Sequence, residues 1–131
     1  MIVIDASALL EVLLRTSSAQ AVETRLFGQP RQTLHAPHLL DVEVAQVLRR
    51  YAAMGEIDGQ RGAEALADLS DFPIRRYPHD FLLIRVWTLR NNFTAYDAVY
   101  VALAEALNAR LLTRDQRLAA AVRRHVDVEL A

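Results

Sequence analysis

The stretch Thr94 to Asp115, TAYDAVYVALAEALNARLLTRD, decides how the rest of the chain is read. Between Ala95 and Ala104 the only charged residue is Asp97. Alanine and leucine lead the helix propensities, and with few residues suited to water the run predicts a helix buried around most of its circumference. Glu105 and Asn108 mark its more polar end. Leu111-Leu112-Thr113 then reads as a short strand, followed at once by Arg114-Asp115. One acid therefore stands inside a buried helix, where a carboxylate is costly unless hydrogen-bonded, paired or bound to a cation. A second acid stands just past a strand, 18 residues later.

The same alternation of strand and helix holds outward from this stretch. Met1-Ile2-Val3-Ile4 is wholly apolar and β-branched in its last three residues, as expected of a strand buried on both faces of a parallel sheet, and it ends at Asp5. Ser7 has the character of an N-cap for a helix over Ala8 to Leu14. A second helix is expected from Ser17 or Ser18 to Phe27, before the breakers Gly28 and Pro30. Thr33 to Ala36 reads as a strand, and Pro37 as the opening of a helix running from His38 to about Ala53. That helix carries Leu40, Val44, Val47, Leu48 and Tyr51 on one face, with Glu43 at its flank, and Gly55 stops it. Asp58 is placed to cap a helix to about Leu69. Phe72 to Tyr77 predicts a strand, with Pro73 placing a sheet edge near its start. Helix is expected again over His79 to Arg90 and over Gln116 to His125, with a last strand over Val126 to Leu130. The pattern predicts an α/β domain with a mainly parallel sheet, in which ligands bind at the carboxyl ends of the strands. Asp5 and Asp115 occupy that position.

Composition narrows the chemistry. The 131 residues suit one domain, long enough to bury roughly 70% of the unfolded surface, and 53% are hydrophobic. There is no cysteine, which removes disulfides and thiolate metal sites. All 15 basic residues are arginine, so no P-loop lysine, Schiff base or lysine general base is available. The net charge of −1 exerts no global pull on nucleic acid. The apolar N-terminus lacks the basic segment of a targeting signal, and no run reaches the ~18 residues of a membrane span. A soluble, cytoplasmic protein is expected.

Each acid has an ordinary explanation. Asp5 could end a strand or cap a helix, Asp97 could cap its helix from within the first turn, Asp115 could cap the last helix, and Glu43 could be solvated. Taken together, two acids at strand ends and two on helices suggest a converging carboxylate cluster. Such a cluster repels itself unless cations intervene, and oxygen ligands without histidine or cysteine suit Mg²⁺ or Mn²⁺. Ions of that kind activate water and offset charge on a phosphate.

The chain resembles the PIN-domain ribonucleases, and among them the VapC toxins of bacterial toxin–antitoxin pairs. The resemblance covers nearly all of residues 1–131 and is carried by IVIDASALL, by the glutamate of LLDVEVAQVLRR, by TAYDAVYVALAEAL and by LLTRDQRL. It implies a single PIN-like domain whose parallel sheet has helices on both faces. It also implies an acidic quartet of Asp5, Glu43, Asp97 and Asp115 as catalytic and metal-binding residues, with Ser7 and Thr113 as supporting hydroxyls at the metal site. The activity implied is Mg²⁺-dependent cleavage of RNA, with Mn²⁺ as a substitute. The partners implied are a cognate VapB-like antitoxin and a second copy of the chain. Gln46 departs from the pattern, since relatives often have asparagine there.

Two other classes remain to be set against this one: a housekeeping PIN ribonuclease, and a PIN interaction module without chemistry. A phospho-acceptor role for Asp5 lacks the lysine it requires and the Asp-x-Asp pattern, and dinucleotide binding lacks a glycine-rich turn after the first strand. Among the arginines, the doublets 49–50, 75–76 and 123–124 read as solvated ends, whereas Arg90 and Arg114 flank the acids and could hold substrate phosphates. Tyr96 and Tyr100 read as core. Trp87 reads either as helix packing or as part of a dimer or antitoxin groove. The four histidines have no ligand spacing.

Overall fold

Five short strands lie side by side in the order β3-β2-β1-β4-β5, all parallel. They are β1 (Ile2–Ile4), β2 (Leu34–Pro37), β3 (Ile74–Tyr77), β4 (Arg110–Thr113) and β5 (Val128–Leu130) in a computed structural model that describes residues 1–131. Seven helices connect them: α1 (Ala6–Leu13), α2 (Ala19–Phe27), α3 (Leu39–Ala53), α4 (Gly59–Asp71), α5 (Leu83–Thr88), α6 (Ala95–Leu107) and α7 (Gln116–Val122). The chain steps from β1 to β2 to β3 in one direction, then crosses back beyond β1 to add β4 and β5 in the other. Because crossovers between parallel strands are right-handed, this reversal puts α1–α4 on one face of the sheet and α5–α7 on the other. The switch point falls between β1 and β4, whose carboxyl ends lead into Asp5 and Arg114-Asp115.

The core is one cluster that joins β1 and β4 to the faces of α1, α3 and α6. Every residue of α6 from Ala98 to Ala104 is buried, as the apolar run requires. The helix ends at Asn108, whose φ of 49° is left-handed, a conformation asparagine tolerates better than most residues. Gly55, at φ 75°, turns the chain out of α3 in the same way. Asp58 caps α4 by accepting the Arg61 N–H, and β3 lies at the sheet edge as Pro73 suggested. His35 is the one buried histidine. Its ring is matched to the Thr33 and Tyr77 hydroxyls, which makes it structural, and burial pushes its pKa down.

Several boundaries differ from the sequence expectation. Pro37 closes β2 instead of opening the next helix, because its missing N–H is harmless at a strand end, and α3 starts at Leu39. The segment His79–Arg90 is broken into a single 3₁₀ turn at Asp80–Leu82 and the short α5. The last helix stops at Val122, and β5 begins at Val128. No helix is long and apolar enough to cross a membrane.

Candidate functional site

Asp5 is 6% exposed and sits where β1 gives way to α1. It, and not Ser7, is the N-cap of α1: its Oδ1 accepts the Ala8 N–H at 3.1 Å. Ser7, displaced into the first turn, turns its hydroxyl back and donates to the same oxygen at 2.6 Å. From β4, Thr113 donates to Oδ2. Each hydroxyl has given its only proton to Asp5, so each oxygen is left as an acceptor. Ser7 Oγ takes the Arg114 N–H at 2.9 Å and Thr113 Oγ1 takes the Asp115 N–H at 3.0 Å. One carboxylate and two hydroxyls thus bind together β1, α1, β4 and the turn that carries Asp115. Parallel register sets this up by pairing Ile4 with Leu112 and bringing Asp5 level with Thr113.

The other three acids come from separate elements. Glu43, half-buried on α3, accepts the Tyr100 hydroxyl at 2.5 Å on Oε1. Asp97 lies in the first turn of α6, but Thr94 is the cap there, its hydroxyl oxygen accepting the Asp97 N–H at 3.1 Å. Asp115 is the N-cap of α7, with Oδ1 accepting the N–H groups of Arg117 and Leu118 at 2.9 and 3.1 Å. Asp97 and Asp115 line one cavity of about 300 Å³. So the capping role considered for Asp115 is real, and it leaves Oδ2 uncommitted.

The charges of these acids are felt by one another. Burial raises the pKa of Asp5 most, and the Asp97 charge adds to it, while the Ser7, Thr113 and Ala8 hydrogen bonds pull the other way. Burial also raises Glu43, with the charges of Asp5 and Asp97 adding to it against the Tyr100 hydrogen bond. Asp97 is raised by burial and by Asp115. Tyr100 itself is pushed far up by burial and the neighbouring carboxylates, so it stays a hydrogen-bond donor to Glu43. The donor set is all oxygen and anionic, which suits a hard divalent cation. No three of the carboxylates converge as a ready coordination sphere. The acids share a field without sharing one point.

Two residues at the site carry roles that the sequence reading did not assign them. Tyr100 belongs to the core by burial, yet its hydroxyl is a site contact; a phenol on an otherwise apolar helix needs a buried partner, and that was the available clue. Thr94 directly before an apolar run has the character of an N-cap. Tyr96, expected in the core, is 64% exposed. Arg90 and Arg114 are both engaged elsewhere: Arg90 stacks 4.5 Å over Trp87, and Arg114 Nη1 donates to the Ala131 carbonyl at 3.3 Å. Gln46 is exposed.

A parallel sheet that places Asp5 and Asp115 at its strand ends, with Glu43 and Asp97 on neighbouring helices, defines an α/β protein with an acidic site at its switch point. The model of the PIN domain matches residues 2–123, and the chain belongs to the PIN-domain family. Over 118 residues it is 46% identical to the ribonuclease VapC9 of Mycobacterium tuberculosis, covering 90% of this chain and 88% of that protein. The crystal structure of VapC20 of the same organism, described as a sarcin-ricin loop cleaving toxin, is similar at a TM-score of 0.71. Its identity is 15%, over 92% of this chain and 95% of that one. A toxin–antitoxin complex from Klebsiella pneumoniae is similar at a TM-score of 0.62 and 19% identity, over 88% and 87% of the two chains. The likeness to these two structures is one of fold.

Thr113→Val keeps the shape of the side chain but leaves Asp5 Oδ2 and the Asp115 N–H without their partner. It should cost about 1–3 kcal/mol in urea unfolding. The raised acids lead to the opposite effect elsewhere. With metal removed, the folded state holds protons that the unfolded chain has released, so stability falls as pH rises through the raised folded pKa values. The melting temperature in EDTA should therefore decline from the ordinary carboxylate range toward neutrality. Asp97→Asn should melt higher than the wild type near neutral pH and show a shallower decline.

Proposed function

We propose that the protein is a divalent-metal-dependent endoribonuclease, and that it is the toxin of a VapBC-type toxin–antitoxin pair acting in the cytoplasm. On this reading residues 1–131 form a single nuclease unit. The observation that carries it is the Asp5 carboxylate held by three hydrogen bonds at the switch point, with Asp97 and Glu43 within its field and Asp115 sharing a cavity with Asp97. The identity to VapC9 supports the same reading.

Asp5, Glu43, Asp97 and Asp115 would hold Mg²⁺, or Mn²⁺ in its place, and the bound ion would activate water and neutralise charge developing on the phosphate. The chain's own groups do the rest. Ser7, Thr113 and the Ala8 N–H keep Asp5 in one orientation and favour its charged form against the burial that raises its pKa. Tyr100 pins one oxygen of Glu43, which leaves Oε2 to orient the attacking water or take up its proton. Asp115 keeps Oδ1 on the first turn of α7 and presents Oδ2. Thr94 fixes the first turn of α6 and with it the direction of Asp97.

Two partners follow. The toxin–antitoxin complex of the Klebsiella neighbour supports a cognate VapB-like antitoxin for this chain. A homodimer is supported by the surface of the 3₁₀ turn and α5. There Phe81, Leu83, Ile84 and Trp87 are 56%, 52%, 84% and 67% exposed within seven residues, an apolar density unusual on a monomer. A two-fold axis through that patch would let it cover itself.

Purified protein incubated with total cellular RNA and Mg²⁺ or Mn²⁺ should give a few discrete products, all lost in EDTA. Asp5→Asn and Asp97→Asn should each slow cleavage by about 10²-fold or more. Full activity in both variants would overturn the assignment. Light scattering after gel filtration should give a dimer mass for the wild type and a monomer mass for Ile84→Glu/Trp87→Glu; an unchanged mass would place the dimer contact elsewhere.

A further inference from the structure

Three cavities follow one another along one flank of α7 and share walls. The cavity that holds Asp97 and Asp115 shares Asn92, Arg117 and Ala121 with a second of about 510 Å³. The second shares Arg124 and His125 with a third of about 490 Å³ beyond the end of α6. A trough thus runs from the acids along the helix. Arg117, Ala121 and Arg124 stand at i, i+4 and i+7 of α7 and the turn that continues it, so they form one stripe along its wall. The two guanidinium-bearing positions are about 10 Å apart along the axis, with alanine between them.

The charges of this wall are free. Arg117 and Arg124 are exposed and take part in none of the ion pairs of the structure, which tie up Arg25, Arg61, Arg76, Arg85 and Arg110. The third cavity mixes both signs of charge, since Glu105 and Asp127 line it together with Arg110, Arg123 and His125. In the section between the acids and Arg124 the lining carries Arg117 and Arg124, with no acid beyond Asp97 and Asp115. A polyanion approaching four carboxylates is repelled by them, so a neighbouring cationic track is what allows it to stay. On the facing wall stands Asn92, whose amide can both donate to and accept from a base edge.

We propose that this trough holds the single-stranded RNA on one side of the scissile phosphate, with Arg117 and Arg124 binding two of its phosphates and Asn92 facing a base. The proposal rests on the ribonuclease reading. It makes Arg117 and Arg124 substrate-binding residues, replacing Arg90 and Arg114, whose guanidinium groups are engaged elsewhere.

The test is binding of a fluorescently labelled single-stranded RNA of about twelve nucleotides. It is followed by anisotropy in EDTA across a salt series, for the wild type, Arg117→Ala/Arg124→Ala and, as a remote control, Arg31→Ala in the exposed loop that enters the amino end of β2. Loss of two phosphate contacts should weaken binding about tenfold and reduce the salt slope by about 1.4, at about 0.7 per contact on a single strand. Arg31→Ala should match the wild type. In cleavage assays the double variant should raise KM about tenfold and leave kcat within about twofold. An unchanged affinity and slope in the double variant, beside a wild type that cleaves, would overturn the trough and leave the ribonuclease reading standing. A wild type that never cleaves, beside a double variant that loses RNA binding as described, would overturn the ribonuclease reading and leave the trough as an RNA-binding track. Both arginines are exposed, so an unchanged melting temperature confirms that the variant folds.

Discussion

The buried carboxylate of Asp5 is the constraint on which the rest of the site depends. An acid with 6% exposure is tolerated because three hydrogen bonds meet it, one from the backbone of α1 and two from hydroxyls that approach from different sides. Those hydroxyls in turn anchor the N–H groups of Arg114 and Asp115. The arrangement is closed in the sense that every proton has one place to go. Its effect is that the start of the chain and residues more than a hundred positions later are held in one hydrogen-bonded unit, and Asp115 is placed by the same contacts that stabilise Asp5.

Around that unit the electrostatics are deliberately unbalanced. Burial and like charge both push Asp5, Glu43 and Asp97 upward, and the fold offers no arginine to relieve them. Arg117 lines the same cavity as Asp97 and Asp115 without an ion pair to either, and Arg124 stands further along the same flank. A fold selected for stability alone would have neutralised the acids or buried hydrocarbon in their place. Here the strain is kept at the switch point, and the surrounding sheet, with the fully buried Val3, Ile4, Leu111 and Leu112 in its central strands, carries it.

Much of this was legible in the residues. The α/β alternation, the burial of Ala98 to Ala104, the edge position of β3 and the strand-end placement of Asp5 and Asp115 all follow from local pattern. What local pattern misassigned was which of two suitable residues does a job. Asp5 and Ser7 are both good caps; Asp5 takes the role, and its other oxygen accepts from Thr113, a partner distant in sequence. Pro37 suits the end of a strand as well as the start of a helix. Tyr100 is core by burial and site by its hydroxyl, a distinction that depends on Glu43 from another helix. The arginines were the least legible, because whether a guanidinium is free is decided by tertiary partners. The expected convergence of all four acids on one metal point came from the family resemblance, and no three of the carboxylates meet in that way.

The β1–β4 pairing joins Ile2 to Arg110 and so spans almost the whole chain. During synthesis β1 emerges first, yet one of its two neighbouring strands is not made until more than four-fifths of the residues have been joined. Until then the edge of β1 is bare and Asp5 lacks the Thr113 hydroxyl. Contacts this distant in sequence form late and slowly. A nascent chain therefore lacks one wall of the acidic site until β4 and the turn after it have been made.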